Sequence, residues 1–336
     1  MRLVLSVMLA MSACGLVVGC EEVQRQVAVN HYVNGQILAE QGNTEAALAE
    51  LALALKNNPR LDVAHATIGD IHRNRGDFEA ARASYEQACK INPYAFRPHY
   101  NLGVTYQMLA AGARNVTQME EQLFRAVSIY LRAVTLEPAD FETNLNLSAC
   151  YFQLGKYDLA EQYCLAAIRL NNDSPQAYSN LGIIYDSQNR LNDAIMAFRN
   201  SLDIDTQQPR LLLNMGSTYM RQGLHKQAMH CFDLALRQDA TLAAAYELMG
   251  TCLFHMKEYP QSLEAYERAL LLDSQSAIAY RGLGVTYMSQ FVLDKSKTEC
   301  RDKAIAAWRR SLSIEPDQND LIRLIERYEP VAPSRL

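Results

Sequence analysis

The chain has 336 residues, of which 49% are hydrophobic and 21% are charged, and its net charge is −5 at pH 7. The large apolar fraction and the absence of low-complexity blocks exclude a wholly disordered chain. The excess of acidic over basic residues argues against nucleic acid as the main partner, because nucleic-acid binding relies on basic surfaces.

Residues 1–19 have the pattern of a bacterial secretory signal. Arg2 supplies a positive charge, and the run 3–18 that follows has no charged residue but is too short to span a bilayer comfortably. The segment ends in Val17-Val18-Gly19-Cys20, which resembles the lipobox of bacterial lipoproteins. In that family the cysteine becomes the acylated N-terminus, so the resemblance predicts a lipid anchor on Cys20, carrying chains such as palmitate, and a short tether over residues 20–27.

This anchor predicts where the protein resides. Two or more acyl chains hold a protein stably on a membrane, whereas one chain does not. We therefore expect the protein at the periplasmic face of the outer or inner membrane of a bacterial cell envelope. The alternative is a signal that is not processed, with Cys20 incidental, which would leave a cytoplasmic adaptor. Cys14 is a weaker second lipidation candidate.

From residue 28 onwards the chain repeats one unit of 34 residues. The copy at 62–95 reads as two helices joined by Gly76-Asp77, with small residues where the helices must approach closely. A small residue recurs in each first helix with this period, apart from one gap of 45, at Gly35, Gly69, Gly103, Ser148, Gly182, Gly216, Gly250 and Gly284. Each second helix has an alanine or serine, followed four residues later by a bulky or apolar residue: Leu51, Tyr85, Tyr130, Cys164, Phe198, Phe232, Tyr266 and Trp308.

These residues resemble the tetratricopeptide repeat family in both period and pattern. The resemblance implies an all-α fold, a right-handed α-solenoid of eight helical hairpins within one elongated domain. The predicted repeats span residues 28–61, 62–95, 96–140, 141–174, 175–208, 209–242, 243–276 and 277–318. Residues 319–329 carry one apolar stripe and are predicted to cap the last hairpin, followed by a flexible tail at 330–336.

Two repeats are longer than the others, with insertions between their helices near residues 109–121 and 289–301. A longer hairpin arm is the favoured interpretation. A loop that makes a partner-specific contact is the alternative, because binding residues are often carried on loops.

The sequence contains no motif of a nucleotide-binding, hydrolytic or zinc-dependent enzyme. We therefore expect no catalytic residue, no metal and no cofactor. His65 and His72 share a helix face but occupy packing positions, and no complete ligand set accompanies His225, His230 and Cys231. Six further cysteines read as small apolar core residues, although a disulfide between neighbouring helices stays open.

The remaining feature is a row of asparagines at the sixth position of four consecutive repeats: Asn101, Asn146, Asn180 and Asn214. An amide offers donors and an acceptor, which match the backbone of an extended peptide. In the resembled family this face lines the concave groove, where similar rows bind peptide backbones. Neighbouring groove candidates are Arg97, Tyr100, Arg210 and Arg281. The alternative is that asparagine is simply common at this position because it is small and polar.

The sequence therefore predicts a lipid-anchored scaffold that binds an extended segment or a helix of another protein, with a role in envelope, secretion or pilus assembly. The alternative is a regulatory or substrate-selecting subunit of a separate enzyme, such as a glycosyltransferase or a cell-wall hydrolase. The partner's identity and the oligomeric state stay open.

Overall fold

The computed structural model describes residues 22–329. Every regular element in that range is a helix, seventeen in all, and the predicted all-α tetratricopeptide fold is confirmed. The predicted signal peptide, Cys20 and the C-terminal tail lie outside the described residues. The described part divides at Asn172 and Asp173 into two compact units, each of which contains four hairpins. Because each repeat packs mainly on its neighbours, sequence composition gave no signal for this division.

The first unit contains helices α1 to α8. The first helix of each hairpin is called its A helix and the second its B helix. The A helices are α1 (22–40), α3 (Asp62–Asn74), α5 (Phe96–Ala111) and α7 (Phe141–Gln153), and the B helices are α2 (Thr44–Asn57), α4 (Phe78–Ile91), α6 (Val116–Leu136) and α8 (Tyr157–Leu170). Residues 22–27, expected in the tether, form the first turns of α1, because good helix formers there extend the packed part of the helix.

The second unit contains helices α9 to α17. Its A helices are α9 (Pro175–Ser187), α11 (Pro209–Arg221), α13 (Ala243–His255) and α15 (Ala277–Leu293). Its B helices are α10 (Leu191–Ile204), α12 (His225–Gln238), α14 (Tyr259–Leu272) and α16 (Thr298–Ile314), and the terminal helix is α17 (Asn319–Tyr328). The A helices from α3 to α15 begin at the residues where the sequence places the starts of repeats two to eight.

Each A helix has a small residue where the B helix of the same hairpin crosses it. A β-carbon added to Gly69 would lie 2.6 Å from Cε1 of Tyr85, so only glycine leaves room for that ring. Ser148 replaces glycine in α7, and its hydroxyl donates a 2.8 Å hydrogen bond to the carbonyl of Ala160 in α8. A buried hydroxyl is tolerated there because it has a partner.

In the hairpins without an insertion, the turn from A helix to B helix contains one residue in the left-handed region. Gly76 and Gly223 adopt φ angles of 82° and 75°, which glycine accepts without a steric penalty. Asn189 and Lys257 occupy the same position in other hairpins, with φ of 61° and 64°. Asparagine tolerates this conformation well, whereas lysine there costs about 1 kcal/mol.

The two insertions lengthen helices. Helix α5 has 16 residues and α6 has 21, compared with 13 in α3 and 14 in α4. Helices α15 and α16 have 17 residues each. Asn115 starts the long α6, because its side chain accepts a 2.8 Å hydrogen bond from the backbone N–H of Gln118. Both insertions therefore form hairpin arms, as the favoured interpretation predicted.

Helix α17 covers α16 at the end of the second unit. Leu321 and Ile325 are buried in one apolar cluster with Trp308 and Phe291. Helix α17 thus lies within residues 319–329, for which the sequence predicts a cap. Among the described helices, none combines the length and the hydropathy that crossing a membrane requires.

Candidate functional site

The candidate site is the face of the A helices that carries the predicted groove residues, at positions 2, 5, 6, 9, 12 and 13 of each repeat. We call it the A-helix face and describe it separately in each unit. In the first unit it is built by α3, α5 and α7, and in the second by α9, α11, α13 and α15.

Asn101 of the first unit is only 8% exposed, and its amide is bound within the protein. Its Nδ2 donates a 2.9 Å hydrogen bond to Oδ1 of Asp70, and its Oδ1 accepts one of 3.2 Å from Nη1 of Arg73. Asp70 also accepts a 2.5 Å hydrogen bond from the hydroxyl of Tyr85. Burial, together with this carboxylate, raises the pKa of Tyr85 well above its usual value. Asn101 therefore joins α5 to the preceding hairpin.

Asn146 lies one repeat further along, on α7, and is half-buried. Its Nδ2 donates a long hydrogen bond of 3.4 Å to the hydroxyl of Tyr100, and its backbone carbonyl accepts one of 3.5 Å from Nε2 of Gln107. Gln107 in turn accepts a 2.5 Å hydrogen bond from the hydroxyl of Tyr130. Burial first, and the charge of Glu142 second, raise the pKa of Tyr100. Because its own hydrogen bond is long, the Asn146 amide is held less tightly than that of Asn101.

Asn214 of the second unit is exposed on α11. It lines a cleft of about 160 Å³ together with Ile183, Asp186, Ser187, Phe198, Ser217 and Thr218. The hydroxyl of Thr218 shares its one proton between two acceptors, Oδ1 of Asp186 at 2.7 Å and the carbonyl of Asn214 at 3.0 Å. This contact links the walls of the cleft through the backbone of residue 214, whose side chain is exposed.

The other predicted site residues occupy less constrained positions. Arg97, Arg210 and Arg281 are exposed, at or near the beginnings of α5, α11 and α15. Asn180 is half-buried on α9. Cys20, the predicted lipidation site, is outside the described residues.

Charged groups of this face form pairs, both within one A helix and across neighbouring repeats. Nη1 of Arg221 on α11 donates a 2.5 Å hydrogen bond to Oδ2 of Asp186 on α9, and Arg73 lies 3.6 Å from Asp70. The hydroxyl of Ser276 donates a hydrogen bond to Glu247. Acidic and basic side chains of this face therefore form local pairs.

The sequence places Arg73 and Asp186 on the predicted groove face but does not predict their contacts with the next repeat, and Gln107 was missed. Arg73, Gln107 and Asp186 share position 12 of their repeats, and each contacts the next A helix through a side-chain hydrogen bond. A polar residue at this position, one repeat before an asparagine, is the signal that could have found them. Within residues 22–329 no group of three or more histidine, cysteine or acidic side chains is placed to hold a metal ion.

The repeated hairpins and their A-helix face define a tetratricopeptide-repeat protein. Residues 7–282 match the family model of the C-terminal domain of cilia and flagella-associated protein 70. Since this match covers most of the chain, the protein belongs to that family.

Three comparisons describe its relatives. A segment of 58 residues, 17% of the chain, is 41% identical to the UDP-N-acetylglucosamine–peptide N-acetylglucosaminyltransferase of Caenorhabditis elegans, and it spans 5% of that enzyme. The structure resembles a tetratricopeptide repeat protein from Parabacteroides merdae with a TM-score of 0.59 and 16% identity, over 80% of this chain and 99% of that one. It resembles PilF of Pseudomonas aeruginosa with a TM-score of 0.52 and 19% identity, over 65% and 94% of the two chains. At these identities the structural likenesses show the fold.

Proposed function

We propose that the protein is a non-enzymatic scaffold whose A-helix face binds an extended segment of a partner protein. The observation that carries this proposal is the exposed Asn214 in a cleft lined by both polar and apolar residues. An amide in such a position donates to a peptide carbonyl and accepts from a peptide N–H, so it holds a backbone without selecting side chains.

Arg210 extends this binding surface. It lies four residues before Asn214, hence on the same side of α11, and both are exposed. A peptide bound along the cleft would offer its carbonyls to both side chains. In the first unit, peptide binding falls to Asn146, Tyr100 and Arg97. Asn101 instead strengthens the contact between repeats.

Photo-crosslinking in cells tests the binding proposal. A benzoylphenylalanine at residue 217, in the cleft, is expected to capture one partner protein. The substitution Asn214→Ala should abolish that crosslink, whereas Asn200→Ala, an exposed asparagine on the B helix α10, should preserve it. A crosslink that survives Asn214→Ala, or a probe that captures nothing, would reject peptide binding at this cleft.

We further propose that an acylated Cys20 anchors the protein to a bacterial envelope membrane, in support of a secretion or pilus complex. The support is the lipobox-like sequence before Cys20 and the nearby first repeat, whose helix α1 is described from residue 22. Mass spectrometry of the native N-terminus tests the anchor. An acylated Cys20 is the expected result, and an intact Met1 would remove the anchor from the proposal.

A second candidate function is the substrate-selecting subunit of a separate glycosyltransferase. It is favoured by the 41% identity to 58 residues of a protein N-acetylglucosaminyltransferase. In that case the partner protein crosslinked at residue 217 should itself be a glycosyltransferase. Its activity on protein substrates should be lower with the Asn214→Ala variant than with the native protein.

A further inference from the structure

The two hairpin arms create clefts at the same place in their repeats. Each cleft lies between the extended end of an A helix and the first residue of the preceding B helix. That residue is Phe78 in the first unit and Tyr259 in the second, the starts of α4 and α14. The inserted residues therefore do more than lengthen a hairpin, because each arm adds a concave surface separate from the A-helix face.

The two clefts differ in chemistry. The cleft of the first unit, about 620 Å³, includes the polar residues Asp77, Glu79, Arg114 and Gln118. The cleft of the second unit, about 340 Å³, is the more apolar, and we call it the arm cleft. It is lined by Tyr259, Val285, Met288, Ser289, Val292, Leu293, Trp308, Leu324 and Tyr328.

Two apolar side chains of the arm cleft lack a covering element. Leu293 is 72% exposed and Val292 is 48% exposed, in the last turn of α15. Helix α17 buries Trp308 and Phe291 but leaves this last turn open. The volume of the arm cleft is at the lower end of the ~300–1,000 Å³ range of small-ligand sites. Such a cleft accommodates one or two large side chains of a bound segment, but not a whole helix.

Cationic side chains contact aromatic rings at the arm cleft. Nζ of Lys295 lies 4.5 Å from the ring centre of Phe291 and 6.0 Å from that of Tyr328, and the guanidinium of Arg327 lies 5.4 Å from the Tyr328 ring. Lys257 lies in the turn two residues before Tyr259. None of these three cations forms an ion pair with another described residue of the chain.

Two acidic residues near the arm cleft have basic partners, because Asp294 lies 4.0 Å from Lys297 and Glu329 pairs with Arg309. Glu258, beside Lys257, and Glu326, beside Arg327, are further carboxylates. The two charged groups that contact the cleft ring of Tyr328 are nevertheless both positive, Lys295 and Arg327, so the cleft favours an anionic group at that ring.

We propose that the arm cleft is a second docking site, which binds a short partner segment with a leucine or phenylalanine next to acidic residues. The apolar side chain enters between Tyr259 and Leu293, and the acidic groups meet Lys295 and Arg327. Buried aromatic and aliphatic anchors of this kind supply most of the binding energy, while the charges select the partner. This site is independent of peptide binding at Asn214.

The chain contains a built-in probe of the arm cleft, because Trp308 is its one tryptophan and lies in the cleft wall. The ligand for the test is a synthetic hexapeptide, capped at both ends, with two leucines between pairs of glutamates. Saturable change of Trp308 emission is expected, with binding at least about tenfold weaker for peptides in which lysines replace the glutamates or alanines replace the leucines. Equal binding of the charge-reversed peptide, or no saturation at millimolar concentration, would overturn the proposal.

Variants at exposed positions locate the peptide without disturbing the fold. Leu293→Asp and Lys295→Glu should each weaken binding at least about tenfold. Their matched controls are Leu271→Asp, an 85% exposed leucine on α14, and Lys226→Glu, an exposed lysine on α12. Both controls and Asn214→Ala should bind the peptide as the native protein does. If Leu293→Asp binds normally, or if the controls weaken binding equally, the arm cleft is not the docking site.

Discussion

The ring of Phe232 packs directly on the backbone of Gly216, so closely that a β-carbon at residue 216 would lie 2.3 Å from Cε1 of the ring. This contact joins α11 to α12 in the second unit. Phe232 is fully buried, and it belongs to the cluster that also contains Phe198, Met215 and Tyr219. The close approach of glycine and aromatic ring therefore sets the distance between the two helices of the hairpin.

Gly216→Ala should lower the free energy of unfolding by about 1–3 kcal/mol, because the added methyl group must displace a packed ring. Urea denaturation monitored by circular dichroism measures the change. Gly112→Ala is the control, since its β-carbon would meet no atom closer than 3.7 Å. Equal stabilities of the two variants would mean that the ring moves aside without cost.

Tyr85 and Asp70 offer a test of a part-buried hydrogen bond in the first unit. Tyr85→Phe and Asp70→Ala should each destabilise the protein, and the double variant should lose less than the sum of the two. We expect a coupling energy of about 1 kcal/mol, the usual net contribution of such a hydrogen bond. Urea denaturation of the four proteins of this cycle gives the value. Strict additivity would show that the hydroxyl finds another partner.

The buried cysteines should make stability fall at alkaline pH. Burial raises the pKa of Cys252 to about 11 and that of Cys150 to about 12, from an ordinary value near 9. As pH rises above 9, thiols of the unfolded chain ionise and release protons while the folded ones stay protonated, so unfolding becomes more favourable. Below pH 8 these groups should contribute no pH dependence.

Alkylation followed by mass spectrometry checks the thiols directly. At pH 9 iodoacetamide should leave Cys150 and Cys252 unmodified in the folded protein and modify both in urea. This protection is expected because neither cysteine side chain has exposed surface in the folded protein. Rapid labelling of the folded protein would show that these helices open far more readily than their packing indicates.

Leu321 should be the residue through which α17 stabilises the second unit. It is 1% exposed and packs in one cluster with Trp308, so Leu321→Ala should cost about 2–5 kcal/mol. The neighbouring Ile322 is 39% exposed, and Ile322→Ala should cost much less. Denaturation monitored by Trp308 emission gives the stability of the two variants. A red-shifted emission of the folded Leu321→Ala variant would show that water reaches the indole. Similar stability of both variants would contradict the capping role.

The fold was accessible from the sequence because its main signal is periodic. The small residue of the A helix and its bulky or apolar partner, such as Gly69 and Tyr85, have the same separation in every hairpin without an insertion, so the pattern is present several times in one chain. The starts of seven A helices follow from that period together with its one longer gap.

The binding site was less accessible, because the state of an asparagine depends on side chains from the preceding repeat. Asn101 and Asn214 occupy the same repeat position, yet Asp70 and Arg73 engage the first, while the second faces an open cleft. The period identifies equivalent positions but not their partners. Likewise, the length of an insertion did not reveal that Leu293 would stay uncovered in the last turn of α15.

The hairpin arms also bear on how such proteins diverge. Ala126 and Ala304 keep their buried places at the helix crossing, although residues have been added before them in α6 and α16. Growth in the direction of the helix axes leaves the contacts between successive hairpins unchanged. A change in the length of a single repeat can thus add or remove a docking surface such as the arm cleft. The packing of the other hairpins, and with it the A-helix face, stays as it was.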